Sequence, residues 1–459
     1  MANFQSKFTN PKLEQIFNLD EFPEVTLEIE ESDWNNLLIA FDKDPDKNFF
    51  VPGNFVFKEH SQIPDQTLPS VALRVRGNSS RNRPEGNLGQ IHDPVNPIWR
   101  QTSFALQFGK YVKGQTFEGS KRLDLKFIRE DPTRIREVYG FDLYQQAGIY
   151  SGPLISMCKF YIRISGDTDR AYFGVYKLKE YIEDDYLEDR KSFFGDEVPG
   201  SKIPFLWKAG NGAAFNNYAP SVIENKDIYD LRINTSSRDV AIAQLTDFVR
   251  NLVVLEGDDL KNWANETMDV ELLLKSYLTN VILGNMDDYW LNSNNFSFYF
   301  NTYGKFFFIP NDFDTALGTG WGIDAGKQDT FNWGNPNNPL IQKLITIDDF
   351  KQLYINSFYE LTNEQTGPFH VSKSIPRIKR WQSLISGSLW DETIHFGCEN
   401  DGAGCILSPQ GGNNLQTPFE DKTAWWTSGG NNPNYLLLEQ GENNFFEVSG
   451  DQARMPKQN

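Results

Sequence analysis

Apolar and polar residues alternate along the first third of the chain. Val25, Leu27 and Ile29 stand between polar neighbours, a period of two that predicts a strand with one buried face. Ser32-Asp33-Trp34 opens a short predicted helix ending near Phe41, with Ser32 as its N-cap. Residues 44–54 are turn-rich. Leu73-Arg74-Val75-Arg76 alternates again and runs into a small polar turn, Gly77-Asn78-Ser79-Ser80. Residues 81–98 mix Pro, Gly, Asn and Asp without period and read as a loop, and 103–108 is the next strand. Asp131-Pro132-Thr133 opens a helix whose face carries Ile135, Val138, Tyr139, Leu143 and Tyr144, with Gly148 just past its end. Segments 160–164 and 172–178 form a hairpin across Gly166-Asp167.

Beyond residue 180 the period lengthens. Residues 225–284 are mainly helical: Leu245, Phe248, Val249, Leu252 and Val253 share one face, and 272–283 is a nearly all-apolar helix placed at the centre. Segments 296–300 and 306–309 form a second hairpin turning at Tyr303-Gly304, and 335–385 is helical again. From about 386 the chain is rich in Gly and Asn. The reading is therefore α+β: a lead-in segment at 1–19, an antiparallel sheet with one helix at 20–183, a helical region carrying a hairpin at 184–385, and an appendage at 386–459. That order suits a two-lobed, protein-kinase-like plan, although other α+β folds share it.

Composition narrows the chemistry. Of 459 residues, 39% are apolar, enough for a substantial core, and no run approaches the about 18 apolar residues of a membrane-spanning helix. The 36 phenylalanines, Phe306-Phe307-Phe308 among them, point to buried strands. A formal charge of −18 argues against nucleic acid as a partner. It also obliges any nucleotide site to gather its own cations. The four histidines, His60, His92, His370 and His395, lack metal-ligand spacing and flanking catalytic motifs, which argues against a zinc enzyme and a Ser-His-Asp or Cys-His mechanism. Cys158 reads as a buried thiol. Cys398 and Cys405 bracket a polar loop that a disulfide can close in an oxidising compartment. Asn78, Asn234, Asn265 and Asn295 begin Asn-x-Ser/Thr sequons. The amino terminus has neither the basic start nor the apolar middle of a signal peptide.

Three segments resemble the CotH (spore coat protein H) family of atypical, kinase-like proteins, in the family's order. They are Arg74-Val75-Arg76-Gly77-Asn78-Ser79-Ser80, then Gly174-Val175-Tyr176-Lys177-Leu178-Lys179-Glu180-Tyr181-Ile182, then Gly284-Asn285-Met286-Asp287 through Asn294-Asn295 with Ile309-Pro310-Asn311-Asp312-Phe313-Asp314-Thr315-Ala316-Leu317-Gly318. The resemblance covers roughly 20–385 and implies a bilobal fold that moves the γ-phosphate of ATP, with Mg²⁺ or Mn²⁺, to Ser or Thr of a partner protein. It also implies a secreted or cell-surface location.

On that resemblance Asp287 orients the acceptor hydroxyl or takes its proton, with Asp288 adjacent as the alternative. Asp312 is the principal metal ligand. Asp314, two residues on, shares its strand face, and Asn295 adds a neutral oxygen, with Asn294 and Asn292 nearby. A glycan at the Asn295 sequon would exclude that last role. The family usually carries a Lys just before the strand at 103–108, where this chain has Arg100-Gln101-Thr102. Arg100 is then its substitute, with Arg74 and Arg76 as further phosphate binders and Glu137 as the acid that positions the cation. Glu180, flanked by Lys177 and Lys179, falls where a kinase hinge holds adenine. Two rival readings remain: a non-catalytic surface adhesin on the same frame, which the missing Lys favours, and a sugar-binding module using Trp425-Trp426.

Overall fold

Seven strands close into a barrel, and a four-stranded sheet stands beside it. The computed structural model describes residues 7–43, 48–77, 81–128, 134–285, 287–314, 316 and 333–396. The barrel strands are β1 (Glu24–Ile29), β2 (Val51–Lys58), β3 (Gln66–Arg76), β4 (Ser103–Gln107), β5 (Arg122–Phe127), β6 (Ile155–Ile164) and β7 (Ala171–Glu180), in the order β1-β2-β3-β4-β5-β7-β6. Neighbours are antiparallel except for the closing pair, where β1 runs parallel to β6 from Glu24↔Lys159 to Ile29↔Ile164. The expected antiparallel sheet is thus a closed barrel with one parallel seam. Closure satisfies both sheet edges, and the seam joins strands too far apart in sequence for local periodicity to reveal.

Inside, Leu27, Phe55, Leu73, Phe104, Leu125, Phe160 and Leu178 belong to one buried cluster. The predicted helix after β1 spans Glu31–Lys43, so Ser32 lies in its first turn and not at its cap. β2 occupies part of the segment read as turns. Gly53 is needed there, because a Cβ on it would lie 2.8 Å from Leu73 Cδ2.

The second sheet comprises β8 (Phe205–Ala209), β9 (Tyr229–Leu231), β10 (Phe296–Phe300) and β11 (Phe306–Pro310), ordered β11-β10-β8-β9. Trp207, Phe296, Phe298, Phe300, Phe306 and Phe308 share one face and join the large core that also contains the helices Arg136–Gln146, Arg238–Val254 and Val270–Leu283. Asp269 caps the last of these, accepting Leu272 N–H at 3.0 Å, and Gly284 ends it at φ 57°. The other face carries Leu206, Tyr299, Phe307 and Ile309 in a smaller cluster with Tyr186 and Phe194. The helix Val371–Phe396 closes the described chain. The turn at Asn78–Ser80, the helix opening at Asp131–Thr133, Cys398, Cys405 and Trp425-Trp426 lie outside the described residues. Cys158 is fully buried.

The long loop between β3 and β4 is pinned to the barrel by buried charge. His92 Nδ1 lies 3.0 Å from both Glu85 oxygens and Nε2 lies 3.0 Å from Asp167 Oδ1. Trp34 Nε1 donates to Glu85 Oε2 at 2.7 Å, and Arg83 Nε donates to Asp42 Oδ1 at 2.8 Å. Burial opposes the imidazolium, but Asp167 and Glu85 outweigh it and raise its pKa above the ordinary histidine value. A raised histidine stabilises fully below its unfolded pKa and loses that contribution as pH rises through the folded value. His92→Gln is expected to cost about 1–3 kcal/mol in mildly acidic solution. The gap from wild type should close as pH rises, as thermal unfolding across about pH 5 to 9 will report.

Candidate functional site

Toward their ends β3, β5 and β7 alternate apolar with charged residues in sequence, as in Leu73-Arg74-Val75-Arg76 and Leu125-Lys126-Phe127. The barrel's inward residues here (Val75, Phe104, Leu123, Leu125, Leu178) fill the core, leaving charged ones outside. Strand pairing aligns these in rows: Lys126 lies opposite Lys177, Asp124 opposite Lys179, and Ala105 opposite both Asp124 and Arg74. The barrel wall thus presents Arg74, Arg76, Asp124, Lys126, Lys177 and Lys179 on one surface.

Glu137, from the first turn of the helix Arg136–Gln146, is the hub of that surface. It is 2% exposed. Lys126 Nζ donates to its two oxygens at 2.9 and 3.0 Å and to Asp312 Oδ2 at 2.8 Å. Lys177 also donates to Glu137, and Lys179 does so at 3.2 Å while reaching the Asn311 carbonyl. Arg76 pairs with Asp124. Burial opposes ionisation of Glu137, but Lys126, Lys177 and Lys179 hold its carboxyl well below the usual range. Burial likewise opposes the charge of Lys126, and Asp312 and Glu137 more than restore it. Burial lowers Lys179 to about 8, Glu137 pulling up and Lys126 pushing down. Asp314 is pushed up to about 7 by burial and by Asp312.

A second group comes from the turn after the helix Val270–Leu283. Asn295 Nδ2 donates to Asp287 Oδ2 at 2.7 Å and to its carbonyl at 3.1 Å, while Asn292 Nδ2 donates to Oδ1 at 2.8 Å. Asn295 takes φ 53°, a left-handed conformation that Asn tolerates, as the chain turns into β10. Asp288, by contrast, is buried and caps the short helix Tyr289–Asn292 through Leu291 N–H at 2.9 Å. Two bonds join the groups: Asn311 N–H donates to the Asn295 carbonyl at 3.1 Å, and Asn285 Nδ2 donates to the Asp312 carbonyl at 3.1 Å.

Phe313, between the two acids, packs on Phe141 and Tyr144 of the Glu137 helix, with ring centroids 4.9 and 5.3 Å apart. Gly140 makes room for it, since a Cβ there would lie 2.6 Å from Phe313 Cγ. Gly140→Ala is therefore expected to destabilise by about 1–3 kcal/mol through overpacking. In an unconstrained helix the same change stabilises by about 1 kcal/mol, so the sign of the change in melting temperature decides the point.

A family model described as "CotH kinase protein" matches residues 73–397. The chain belongs to the CotH family. Among similar proteins is "Spore coat protein homolog 1" of Rhizopus delemar, 21% identical over 86% of this chain and 63% of that protein. Another is "Invasin CotH7" of the same organism, 22% identical over 85% and 63% respectively. The chain thus spans somewhat less than two thirds of the length of these relatives.

Of the residues that the CotH resemblance singled out, Glu137, Asp312 and Asp314 meet on one side of the site and Asp287 and Asn295 on the other. Arg76 is within electrostatic reach of Glu137 and Asp312. Arg74 faces the same way from β3, its guanidinium 5.6 Å from the Phe50 ring. Two residues stand apart. Arg100 donates to the Gly86 carbonyl and, at 3.0 Å, to Asn87 Oδ1, all within the β3–β4 loop. Glu180 pairs with the fully buried Arg190 and accepts Leu154 N–H at 2.5 Å. Lys126, Lys177 and Lys179 are what the motif reading missed. Lys177 and Lys179 are buried, at 2% and 6% exposure, and do not flank Glu180 at the surface. Lys126 had a signal of its own: Arg-Leu-Asp-Leu-Lys-Phe at 122–127 alternates strictly, the mark of a half-buried strand.

Proposed function

We propose that this CotH-family chain is a metal-dependent protein kinase, transferring the γ-phosphate of ATP to Ser or Thr of a partner protein, with the barrel and the region around the second sheet as its two lobes. One observation carries the reading: Lys126 bridges Glu137 and Asp312, while Asp287 and Asn295 stand one hydrogen-bonded residue away. Phosphoryl transfer demands little else than this positioning of a cation, metal-binding oxygens and a base.

Lys126, held by Glu137, takes the phosphates, with Arg74 and Arg76 beside it. Asp312, Asp314 and Asn295 would hold Mg²⁺ or Mn²⁺, which when bound neutralises charge on the phosphates. The donors fit such an ion. They are hard oxygens, and Asp314, raised by burial and by neighbouring Asp312, is a carboxyl whose charged form a bound cation would favour. Among the described residues no three His, Cys, Asp or Glu side chains form a ready-made cage. Asp287, aimed by Asn292 and Asn295, orients the acceptor hydroxyl and takes its proton. The hydroxyl oxygen bonds to the γ-phosphorus, and the β–γ bridging oxygen leaves with ADP.

The relatives' names favour a surface or coat location, and two are called invasins, which supports a second reading as an adhesive surface module. No helix among the described residues is long and apolar enough to cross a membrane. Calorimetric titration with ATP separates the readings. The kinase reading requires binding that depends on Mg²⁺ or Mn²⁺ and weakens in Lys126→Met, and an absence of ATP binding leaves the adhesive module.

A further inference from the structure

The cations described so far lie on the barrel wall. One more faces them from the second sheet. Lys208, in β8, pairs across the strand with Ser297 of β10, so the two side chains stand on one face about 5 Å apart. Ser297 Oγ accepts a hydrogen bond from Asn311 Nδ2 at 3.1 Å, and Asn311 immediately precedes Asp312. Lys208 therefore belongs to the sheet face that leads to the metal-binding acids. From there it is within electrostatic reach of Arg76 and Arg74 of the barrel and of Arg232 at the end of its own sheet.

Its partners set it apart. Arg76 pairs with Asp124, and Arg232 with Glu183 and Asp230. Lys208 has no ion pair with any described residue, and Asp230 acts on it only from a distance. Its side chain is exposed. Desolvation by the surrounding protein, together with Arg76 and Arg232, lowers its pKa to about 8. In a chain of net charge −18, an uncompensated lysine crowded against two arginines is an arrangement that an anion relieves.

We propose that Lys208 is a substrate-binding residue that contacts a phosphate of the bound nucleotide, so that the phosphate chain is gripped from the barrel by Lys126 and Arg76 and from the sheet by Lys208. The inference rests on the nucleotide reading above. It assigns to β8 a specificity role that none of the three CotH-like motifs contains.

Calorimetry of wild type, Lys208→Ala and Lys208→Arg against ATP with Mg²⁺ and against adenosine tests it. Lys208→Ala is expected to weaken ATP by about ten- to a hundredfold, the loss of one charge-assisted contact, and to leave adenosine unchanged. Lys208→Arg should recover much of the ATP affinity. Equal losses for ATP and adenosine would assign Lys208 to the base or the fold and overturn the proposal, as would unchanged ATP affinity in Lys208→Ala. Failure of the wild type to bind ATP at all would instead remove the kinase reading, and this inference with it.

Discussion

Asp312→Asn is expected to reduce phosphate transfer by about 10³-fold or more, the scale seen when one preorganised electrostatic contact to a transition state is removed. The substitution is close to isosteric, so the loss should not come from unfolding. The Asp312 carbonyl keeps its bond from Asn285, and Lys126 keeps both oxygens of Glu137. What disappears is the negative charge that Lys126 shares and that a divalent cation requires. Transfer rate and melting temperature measured on the same preparation distinguish the two causes. The expected outcome is a lost rate with a melting temperature within a few degrees of wild type.

Glu137→Gln should act mainly on stability. Three lysines, Lys126, Lys177 and Lys179, share this one carboxylate. Removing one partner of a buried ion pair costs about 3–5 kcal/mol, because the remaining charge is left unpaired. Lys177 is the most affected, being 2% exposed, whereas Lys126 still has Asp312. Lys126→Met removes a cation yet leaves Glu137 two others, so it should cost much less stability while still impairing nucleotide binding. The pH sign also follows. Glu137 is held well below its ordinary value, so its contribution is present above the usual glutamate range and is lost as pH falls through the folded value. Wild type and Glu137→Gln should therefore differ most near neutrality and converge in acid, which denaturant unfolding at several pH values will measure.

The parts of this site that the chain displayed openly are those written in one segment. Asp312 and Asp314 follow a run of phenylalanines, and Asp287 closes an apolar helix, so local pattern and motif together located them. Glu137 lies in none of the three motifs and was named only as the acid that the resemblance calls for, on a helix with a clear apolar face. The cation that meets it was not. Arg100 occupies the family's lysine position in the linear order, but the loop carrying it is held by Asp42, Trp34 and Asp167, and its guanidinium is spent on Gly86 and Asn87. Lys126 and Lys177 reach Glu137 only because β5 pairs with β7 across an intervening helix and β6. Such register is set by long-range packing and not by any local period. Barrel closure through β1 and β6 was hidden in the same way. The resemblance placed Glu180 where a kinase hinge lies; its partner, Arg190, is ten residues on, in a helical segment whose placement the strand pattern does not determine.

Incubation with γ-labelled ATP, Mg²⁺ or Mn²⁺ and a basic acceptor protein rich in Ser and Thr, for wild type and Asp287→Asn in parallel, tests the central claim most directly. The account predicts label on acceptor Ser or Thr with wild type, none without metal, and at least a hundredfold less, roughly, with Asp287→Asn. Absence of label with either metal, or equal label from the two proteins, would contradict it.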